Sequence, residues 1–238
     1  LLHEAAALMT PTDPAFARYL RARARDLLCN DYEGSDAIWV SSRFDKLNAM
    51  IGSYEVYDDE LYASKSFFAF SLLLRDAEQS DALRGAIRGI QQLEDALPYA
   101  AHKHVREDIP VGVYNVIADF GQARGTNTAS ILPNESHLAR QFGRTILIRA
   151  NILTNPQLFA LRREALNAAT VADHASDLVP DGAFYRTLWH EVGHYLGVDR
   201  AADGRDLGVA LQDTADLLEE MKADLVSLFA ARFLHDSG

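Results

Sequence analysis

Apolar residues recur at intervals of three and four in several stretches of the chain, which is the pattern of helices that bury one face. The first stretch, residues 14–29, follows Thr12-Asp13-Pro14, a capping residue and a proline that a first helical turn accepts. Its predicted inward positions are Phe16, Tyr19, Leu20, Arg23, Leu27 and Leu28. Residues 61–97 repeat the pattern with a break at 79–81, so two helices are predicted there.

Two stretches instead carry β-branched and aromatic residues, which are typical of strands. These are residues 111–120 and 144–153. The polar residues 121–143 between them predict a loop that is long enough to be functional. Residues 30–53 mix turn residues with short apolar pieces, which predicts irregular chain with one short helix at most.

Three further helices are predicted in the second half of the chain. Asn155-Pro156 begins one that reaches Ala169, residues 186–196 form another, and residues 211–234 form the last. The predicted inward positions of the last helix are Leu218, Met221, Leu225, Leu228, Phe229 and Phe233. Together these elements predict an α+β fold that is predominantly helical, with a small strand region.

The helix at 186–196 carries the strongest candidate chemistry. His190 and His194 stand one turn apart on the same face, where both imidazoles can reach one metal ion. Glu191 points to the side of this pair, so it is better placed to accept a proton from water than to bind the ion, and it is the candidate general base. Gly193 costs about 1 kcal/mol relative to alanine inside a helix, which indicates that another segment packs against its backbone.

A third ligand is predicted from the acidic pair Glu219-Glu220, because a zinc hydrolase uses three protein ligands and keeps a fourth position open. Glu220 and Asp224 share one helical face, so that one can bind the ion while the other holds a ligand imidazole. We therefore predict one zinc ion per chain, held by His190, His194 and Glu220, with Glu219 and Asp224 behind the ligands. The alternative is a buried helix whose two histidines have ordinary hydrogen-bond partners.

Length, composition and charge limit which kinds of protein and which binding partners fit this sequence. With 238 residues, 48% of them apolar, the chain is predicted to be one domain, with a helical lobe 1–110 and a lobe 111–238 of strands and zinc helices as the alternative. Its 23 basic and 34 acidic residues give a net charge of −11, which argues against nucleic acid and anionic membranes as partners. The lone Cys29 cannot form an internal disulfide and is predicted to be a small core residue.

Targeting signals are not evident in the sequence. The chain has no run of about 18 apolar residues and no basic segment followed by an apolar one at its start, so a cytoplasmic location is expected. It begins at Leu1 rather than methionine, which fits a processed chain or a piece of a longer protein.

An aromatic and polar motif, Ile51-Gly52-Ser53-Tyr54-Glu55-Val56-Tyr57-Asp58-Asp59-Glu60, precedes the predicted helix at 61, which Asp58 or Asp59 can cap. Taken alone, its tyrosines and Tyr62 are best explained by aromatic packing at a helix start. Four pieces of the sequence together, however, resemble the dipeptidyl peptidase III family of zinc peptidases, especially its shorter bacterial and plant members. The pieces are Asp31-Tyr32-Glu33-Gly34-Ser35-Asp36-Ala37-Ile38-Trp39, residues 51–61 with Lys65, Thr128-Ala129-Ser130-Ile131-Leu132-Pro133-Asn134-Glu135, and the His-Glu and Glu-Glu elements, in an order that fits across residues 16–235.

The resemblance implies a role for each residue that matches a family motif. His190, His194 and Glu220 resemble the family's zinc ligands, and Glu191 resembles its general base. Tyr57 resembles the tyrosine that hydrogen-bonds the carbonyl of the scissile bond, while Glu55 and Asn134 resemble residues that hold the free amino group of the substrate. Many members have one more residue between the two histidines, and some share the shorter spacing found here.

The resemblance also implies the function. We expect hydrolysis of peptide bonds near the amino end of short peptides by a zinc-activated water, in a zinc-binding helical core whose cleft is lined partly by the strands and by residues 121–143. The family has a further region after the Glu-Glu helix, which supplies a catalytic histidine and a basic residue for the carboxyl end of the substrate. Because this sequence stops at Gly238, we expect a cleft that is open on one side unless another chain or a separate segment closes it, with good zinc binding and weak peptide cleavage. The alternatives are a zinc hydrolase of a non-peptide amide or ester, and a non-catalytic binding module with a structural zinc, which a fourth protein ligand would favour.

Overall fold

The computed structural model describes residues 1–55, 59–62, 65–105, 109–124, 128–133, 136–171, 174 and 176–237. The chain forms two compact units, a sheet unit of residues 1–82 and 110–152 and a helical unit of residues 83–109 and 153–238. In chain order, the helices and strands are α1 (Leu2–Met9), α2 (Pro14–Cys29), α3 (Glu33–Ser41), β1 (Leu47–Glu55), β2 (Phe67–Asp76), α4 (Ala77–Ala86), α5 (Ile90–Ala96), β3 (Val111–Gly121), β4 (Ala129–Leu132), α6 (Ser136–Phe142), β5 (Thr145–Arg149), α7 (Ala150–Leu153), α8 (Pro156–Ala169), α9 (Pro180–Tyr195), α10 (Leu207–Leu211) and α11 (Ala215–Ser237). The protein is therefore α+β and mainly helical, as predicted.

The sheet unit is built on five strands in the order β1-β2-β3-β5-β4. β1, β2 and β3 are antiparallel neighbours, β5 runs parallel to β3, and β4 lies antiparallel to β5 at the edge. Ile146, Leu147 and Ile148 of β5 are fully buried, which explains why this strand is a continuous apolar run rather than an alternating one. One core cluster joins α2 and α3 to the sheet, with members that include Phe16, Tyr19, Trp39, Met50, Leu73 and Leu147.

The predicted first helix is confirmed as α2. Asp13 caps it, because its Oδ1 accepts the N–H of Phe16 at 2.9 Å. The predictions for the other end of this helix are wrong, since Leu28 is 91% exposed and Cys29 is also exposed. Each residue turns a helix by about 100°, which places both side chains more than about 100° around the axis from the buried Arg23.

Residues 47–76 differ most from the sequence-based prediction. α3 is the short helix expected within 30–53, but β1 follows it where irregular chain is predicted. β2 replaces the first of the two helices predicted at 61–97, and α4 runs unbroken through the predicted break at 79–81. Apolar side chains fill nearly every position from 67 to 74, so the run fits the helical and the strand period alike, and hydrogen bonds to β1 and β3 select the strand.

Four other predictions concern residues 111–169. The strand at 111–120 and the helix from 155 to 169 are confirmed as β3 and α8. The strand predicted at 144–153 is too long, because β5 ends at Arg149 and the chain continues as α7. The predicted loop at 121–143 contains β4 and α6, which are too short for their apolar periods to be evident in the sequence.

In the helical unit, α11 begins at Ala215, and the side chains that it buries are small, namely Ala223, Val226, Ser227 and Ala230. The predicted inward positions Met221, Leu225 and Leu228 are wrong, because each of these side chains is more than half exposed. Leu218, Phe229 and Phe233 are half-buried. The small buried face allows another helix to approach closely, which a face of large side chains would prevent. Within the described ranges, no helix is long and apolar enough to span a membrane.

Candidate metal centre

α9 presents both candidate imidazoles in its last two turns. Pro180 occupies the first turn, where the missing N–H has no helical partner to lose, and the helix ends at Tyr195. The rings of His190 and His194 lie 4.9 Å apart between centroids and nearly perpendicular to each other. Both side chains are largely buried, with 18% and 9% of their surfaces exposed.

The acidic residues come from α11, which packs against α9 at Gly193. A Cβ atom at Gly193 would lie 2.6 Å from the carbonyl oxygen of Ala223, so the two helices touch through their backbones. The close packing predicted from the glycine is therefore present. This approach brings Glu219, Glu220 and Asp224 within reach of the two histidines, which longer side chains at the contact would prevent.

Glu220 faces the Nε2 atoms of both histidines. Its Oε2 lies 3.1 Å from His190 Nε2, and its Oε1 lies 3.8 Å from His194 Nε2. One donor atom from each of the three residues can be chosen so that all lie within 4.8 Å of one another. Two imidazole nitrogens and a carboxylate oxygen, converging at this spacing, form a donor set that fits zinc.

The other nitrogen of each imidazole is held from behind by a carboxylate. His190 Nδ1 donates to Asp224 Oδ1 at 2.9 Å, and His194 Nδ1 donates to Glu219 Oε1 at 3.0 Å. Such bonds fix the ring orientation and the tautomer, and they leave each Nε2 directed towards Glu220.

Each of these carboxylates has a basic partner of its own. Arg186 Nη2 lies 2.9 Å from Asp224 Oδ1, and Lys222 Nζ lies 2.8 Å from Glu219 Oε1. Sequence reasoning missed both basic residues, although the spacing contains the signal: Arg186 precedes His190 by one helical turn, and Lys222 follows Glu219 by three residues.

The acid-base properties of the cluster follow from these contacts. The hydrogen bond to Glu220 raises the pKa of His190, and the same bond lowers the pKa of Glu220. Burial acts to raise the pKa of Glu219, but the hydrogen bond from His194 and the charge of Lys222 lower it to about 2. The pKa of Asp224 is likewise lowered by His190 and Arg186 against the effect of burial. The carboxylates are therefore ionised at neutral pH, as metal binding requires.

Glu191 lies beside the ligand positions rather than among them. It follows His190 on α9, so its side chain is turned by about 100° around the helix axis. It is 8% exposed, and its charge acts on His190. A carboxylate in this place can exchange a proton with a molecule bound near the histidines.

Of the three residues assigned to the substrate by resemblance, the structure describes only the backbone of Glu55. Glu55 ends β1, where its backbone pairs with Phe67 of β2. The side chain of Glu55, and all of Tyr57 and Asn134, lie outside the described part of the chain. Asp59 caps a turn rather than the predicted helix, since its Oδ1 accepts the N–H groups of Leu61 and Tyr62, both at 3.4 Å.

Comparison with known proteins adds a second line of evidence. No protein-family model matches the chain. Dipeptidyl peptidase III from Caldithrix abyssi matches all of it with a TM-score of 0.81 at 26% sequence identity, and dipeptidyl peptidase III from Corallococcus sp. strain EGB does so with the same TM-score at 28% identity. The chain has a dipeptidyl peptidase III-like fold.

A curated protein with a different name is also similar in sequence. Nudix hydrolase 3 of Arabidopsis thaliana is 28% identical over 236 residues, which cover 95% of this chain and 30% of that protein. The chain likewise covers 46% of each of the two solved dipeptidyl peptidase III chains. It therefore spans less than half the length of the proteins that it matches.

Proposed function

We propose that this chain is a zinc-dependent hydrolase that cleaves peptide bonds near the amino end of short peptides, with Glu191 as the general base. The observation that carries the proposal is the convergence of one donor atom each from His190, His194 and Glu220 within 4.8 Å of one another. A pair of histidines with ordinary hydrogen-bond partners would not need a third group facing both rings from a second helix. The fold shared with dipeptidyl peptidases III supports the same function.

The proposed role of each residue follows from its position in the site. His190, His194 and Glu220 would hold the zinc, while Asp224 and Glu219 keep the two rings in the tautomer that leaves Nε2 free to bind. Bound zinc supplies Lewis-acid chemistry, which polarises a carbonyl group and acidifies water. The Glu191 carboxylate would accept the proton that water loses on attack and would then pass it to the leaving amine.

The substrate-binding part of the proposal rests on resemblance. Glu55 and Asn134 would hold the free amino group of the peptide, and Tyr57 would donate a hydrogen bond to the oxyanion that forms from the scissile carbonyl. A carboxylate is suited to an ammonium group, and a tyrosine hydroxyl is suited to a developing negative charge. We expect Tyr57→Phe to lower the hydrolysis rate without changing the zinc content.

A structural zinc in a non-catalytic module is the rival interpretation. Among the described residues, Glu219 and Asp224 bind the Nδ1 side of the rings and do not face the Nε2 side with Glu220. Three donors, with the neighbouring carboxylates engaged elsewhere, favour a site that keeps one position for a substrate or water. Only the catalytic interpretation requires the Glu191 carboxylate to accept a proton, so this residue separates the two interpretations.

The experiment replaces the base and leaves the ligands intact. We expect Glu191→Gln to keep about one zinc per chain and the wild-type circular dichroism, and to lower hydrolysis of free-amino tetrapeptides by about 100-fold or more, because an amide cannot take the proton. Glu164→Gln, the same exchange at an exposed position of α8, is the control and should leave the rate unchanged. Equal rates for wild type and Glu191→Gln would contradict the proposal, and cleavage of esters or of amino-blocked amides alone would favour the non-peptide alternative.

A further inference from the structure

A buried carboxylate outside the ligand cluster lies at the end of the histidine helix. Glu94 of α5 is fully buried, and three segments of the helical unit meet on it. Its Oε2 accepts the N–H of Gly197 at 2.8 Å, while its Oε1 accepts the N–H of Lys103 at 3.2 Å and the hydroxyl of Tyr99. Its donors within the described chain are therefore uncharged groups, two of them from the backbone.

The contact with Gly197 matters because of where His194 stands. α9 ends at Tyr195, so His194 is its next-to-last residue. The last turn of a helix lacks part of its carbonyl hydrogen bonds and is where helices fray. A metal ligand in this turn needs to be fixed from outside the helix, since its own backbone does not hold it as firmly as the interior holds His190.

The chain beyond α9 provides that fixation. After Leu196, Gly197 adopts a left-handed conformation with φ of 80°, which turns the chain away from the helix axis and aims its N–H at Glu94. Leu196 is fully buried, and Lys222 Nζ lies 3.5 Å from the carbonyl oxygen of His194. The Glu94 bond is shorter than the Lys222 contact, and its acceptor is removed from water, where hydrogen bonds are stronger.

We propose that Glu94 is a positioning residue for the metal site, which holds the last turn of α9 through Gly197 and thereby keeps His194 aligned with His190 and Glu220. The inference rests on the proposed zinc site. It assigns to α5 a part in metal affinity, although α5 contributes no atom to the ligand cluster among the described residues.

The test measures zinc affinity and folding separately. Glu94→Ala removes all three hydrogen bonds, whereas Glu94→Gln keeps an oxygen that can accept from Gly197. We expect zinc affinity, measured by competition with a chromophoric chelator, to fall by about 10-fold or more in Glu94→Ala and by less in Glu94→Gln, in line with other residues that orient metal ligands. The visible absorption bands of the Co²⁺-loaded protein should also change in Glu94→Ala, because they report the ligand geometry.

A matched control separates positioning from general stability. Asp26 is also a nearly fully buried carboxylate that accepts a backbone N–H, from Ser35 at 2.8 Å, but it belongs to the sheet unit. Asp26→Asn should lower the melting temperature and leave zinc affinity and the Co²⁺ spectrum unchanged. If both Glu94 variants melt earlier but bind zinc and Co²⁺ as the wild type does, Glu94 is merely structural and the inference is overturned.

Two further outcomes are distinguishable. If Glu94→Ala does not fold, the milder Glu94→Gln carries the test, and its affinity relative to Asp26→Asn decides it at a temperature where both are folded. If the wild type binds zinc no better than His190→Ala does, the proposed zinc site itself fails, whatever the Glu94 variants show.

Discussion

Charged side chains cluster in both units of the molecule, but the two clusters are built differently. In the sheet unit, the fully buried Arg23 forms an ion pair with Asp36, and Tyr54 joins them by accepting from Arg23 at 2.7 Å and donating to Asp36 at 2.9 Å. The rings of Tyr19 and Tyr32 lie 5.5 and 5.0 Å from the guanidinium group. Positive and negative charge meet directly there and cancel.

In the helical unit, the carboxylates outnumber the cations. Among the described residues, the cluster around the two imidazoles contains four carboxylates and two cationic side chains, so with neutral histidines the formal charge of these groups is 2 − 4 = −2; its members are Glu191, Glu219, Glu220, Asp224, Arg186 and Lys222. A divalent cation offsets that charge. A cluster whose own charges cancel stabilises the fold, whereas a cluster with a surplus of one sign around oriented donors is suited to a ligand.

The sheet-unit cluster gives the largest expected effect on stability. Asp36→Ala leaves the Arg23 charge buried without its carboxylate, which should lower the free energy of unfolding by about 3–5 kcal/mol. Chemical denaturation measures this loss, and metal analysis of the folded protein should still find about one zinc per chain. The double variant Arg23→Met with Asp36→Leu, which removes both charges, should recover most of the lost stability. Zinc loss in Asp36→Ala at temperatures where it is folded would contradict the division of roles.

Substitutions in the helical-unit cluster should instead lower zinc affinity. Glu220→Ala removes the carboxylate that faces both Nε2 atoms, so zinc affinity should fall by more than about 100-fold, beyond the 10–100-fold typical of residues that only orient ligands. Glu219→Ala removes the partner of His194 Nδ1, so its loss of zinc affinity should lie within that smaller range. The reverse order of the two losses would show that Glu219 is the ligand and Glu220 its support.

Substitution at the contact between α9 and α11 should have a smaller effect, on both stability and zinc affinity. In Gly193→Ala the new methyl group would lie 2.6 Å from the Ala223 carbonyl oxygen, so α9 and α11 must separate, at about 1–3 kcal/mol of stability. Zinc affinity should fall as well, because the proposed ligands stand on both helices. Gly85→Ala on α4 is the control, since no described atom outside the adjoining backbone lies within 4 Å of its Cβ position, and it should be neutral or stabilise by up to about 1 kcal/mol. Wild-type stability and zinc affinity in Gly193→Ala would show that the helix contact is loose.

Local sequence patterns predicted the elements whose signals lie close together along the chain. Asp13 and Pro14 marked the start of α2, the β-branched run marked β3, and Asn155 marked the start of α8. The four-residue spacing of His190 and His194 likewise predicted that both rings share one face of a helix. Each of these signals involves residues within one or two turns, where backbone geometry alone sets the distances.

The wrong predictions concern segments whose structure depends on residues that are distant in the sequence. Residues 67–76 fit either a helix or a strand until β1 and β3 pair with them, and α11 could bury its leucines or its alanines until Gly193 packed against Ala223. The buried face of α11 was misassigned because large apolar residues usually face the core, whereas here the close approach of α9 selects small ones. No property of the α11 sequence taken alone distinguishes the two faces.

The sequence by itself therefore determined the histidine helix, the acidic helix and the kinds of donor atom that they carry, because these follow from short-range spacing and side-chain chemistry. Only the tertiary structure decided that Glu220 faces both Nε2 atoms, that Asp224 and Glu219 take the Nδ1 atoms, and that Glu94 holds Gly197. Glu94 and Gly197 are 103 residues apart. A contact across that separation depends on how α5 and α9 pack, which the spacing of residues within either helix does not encode.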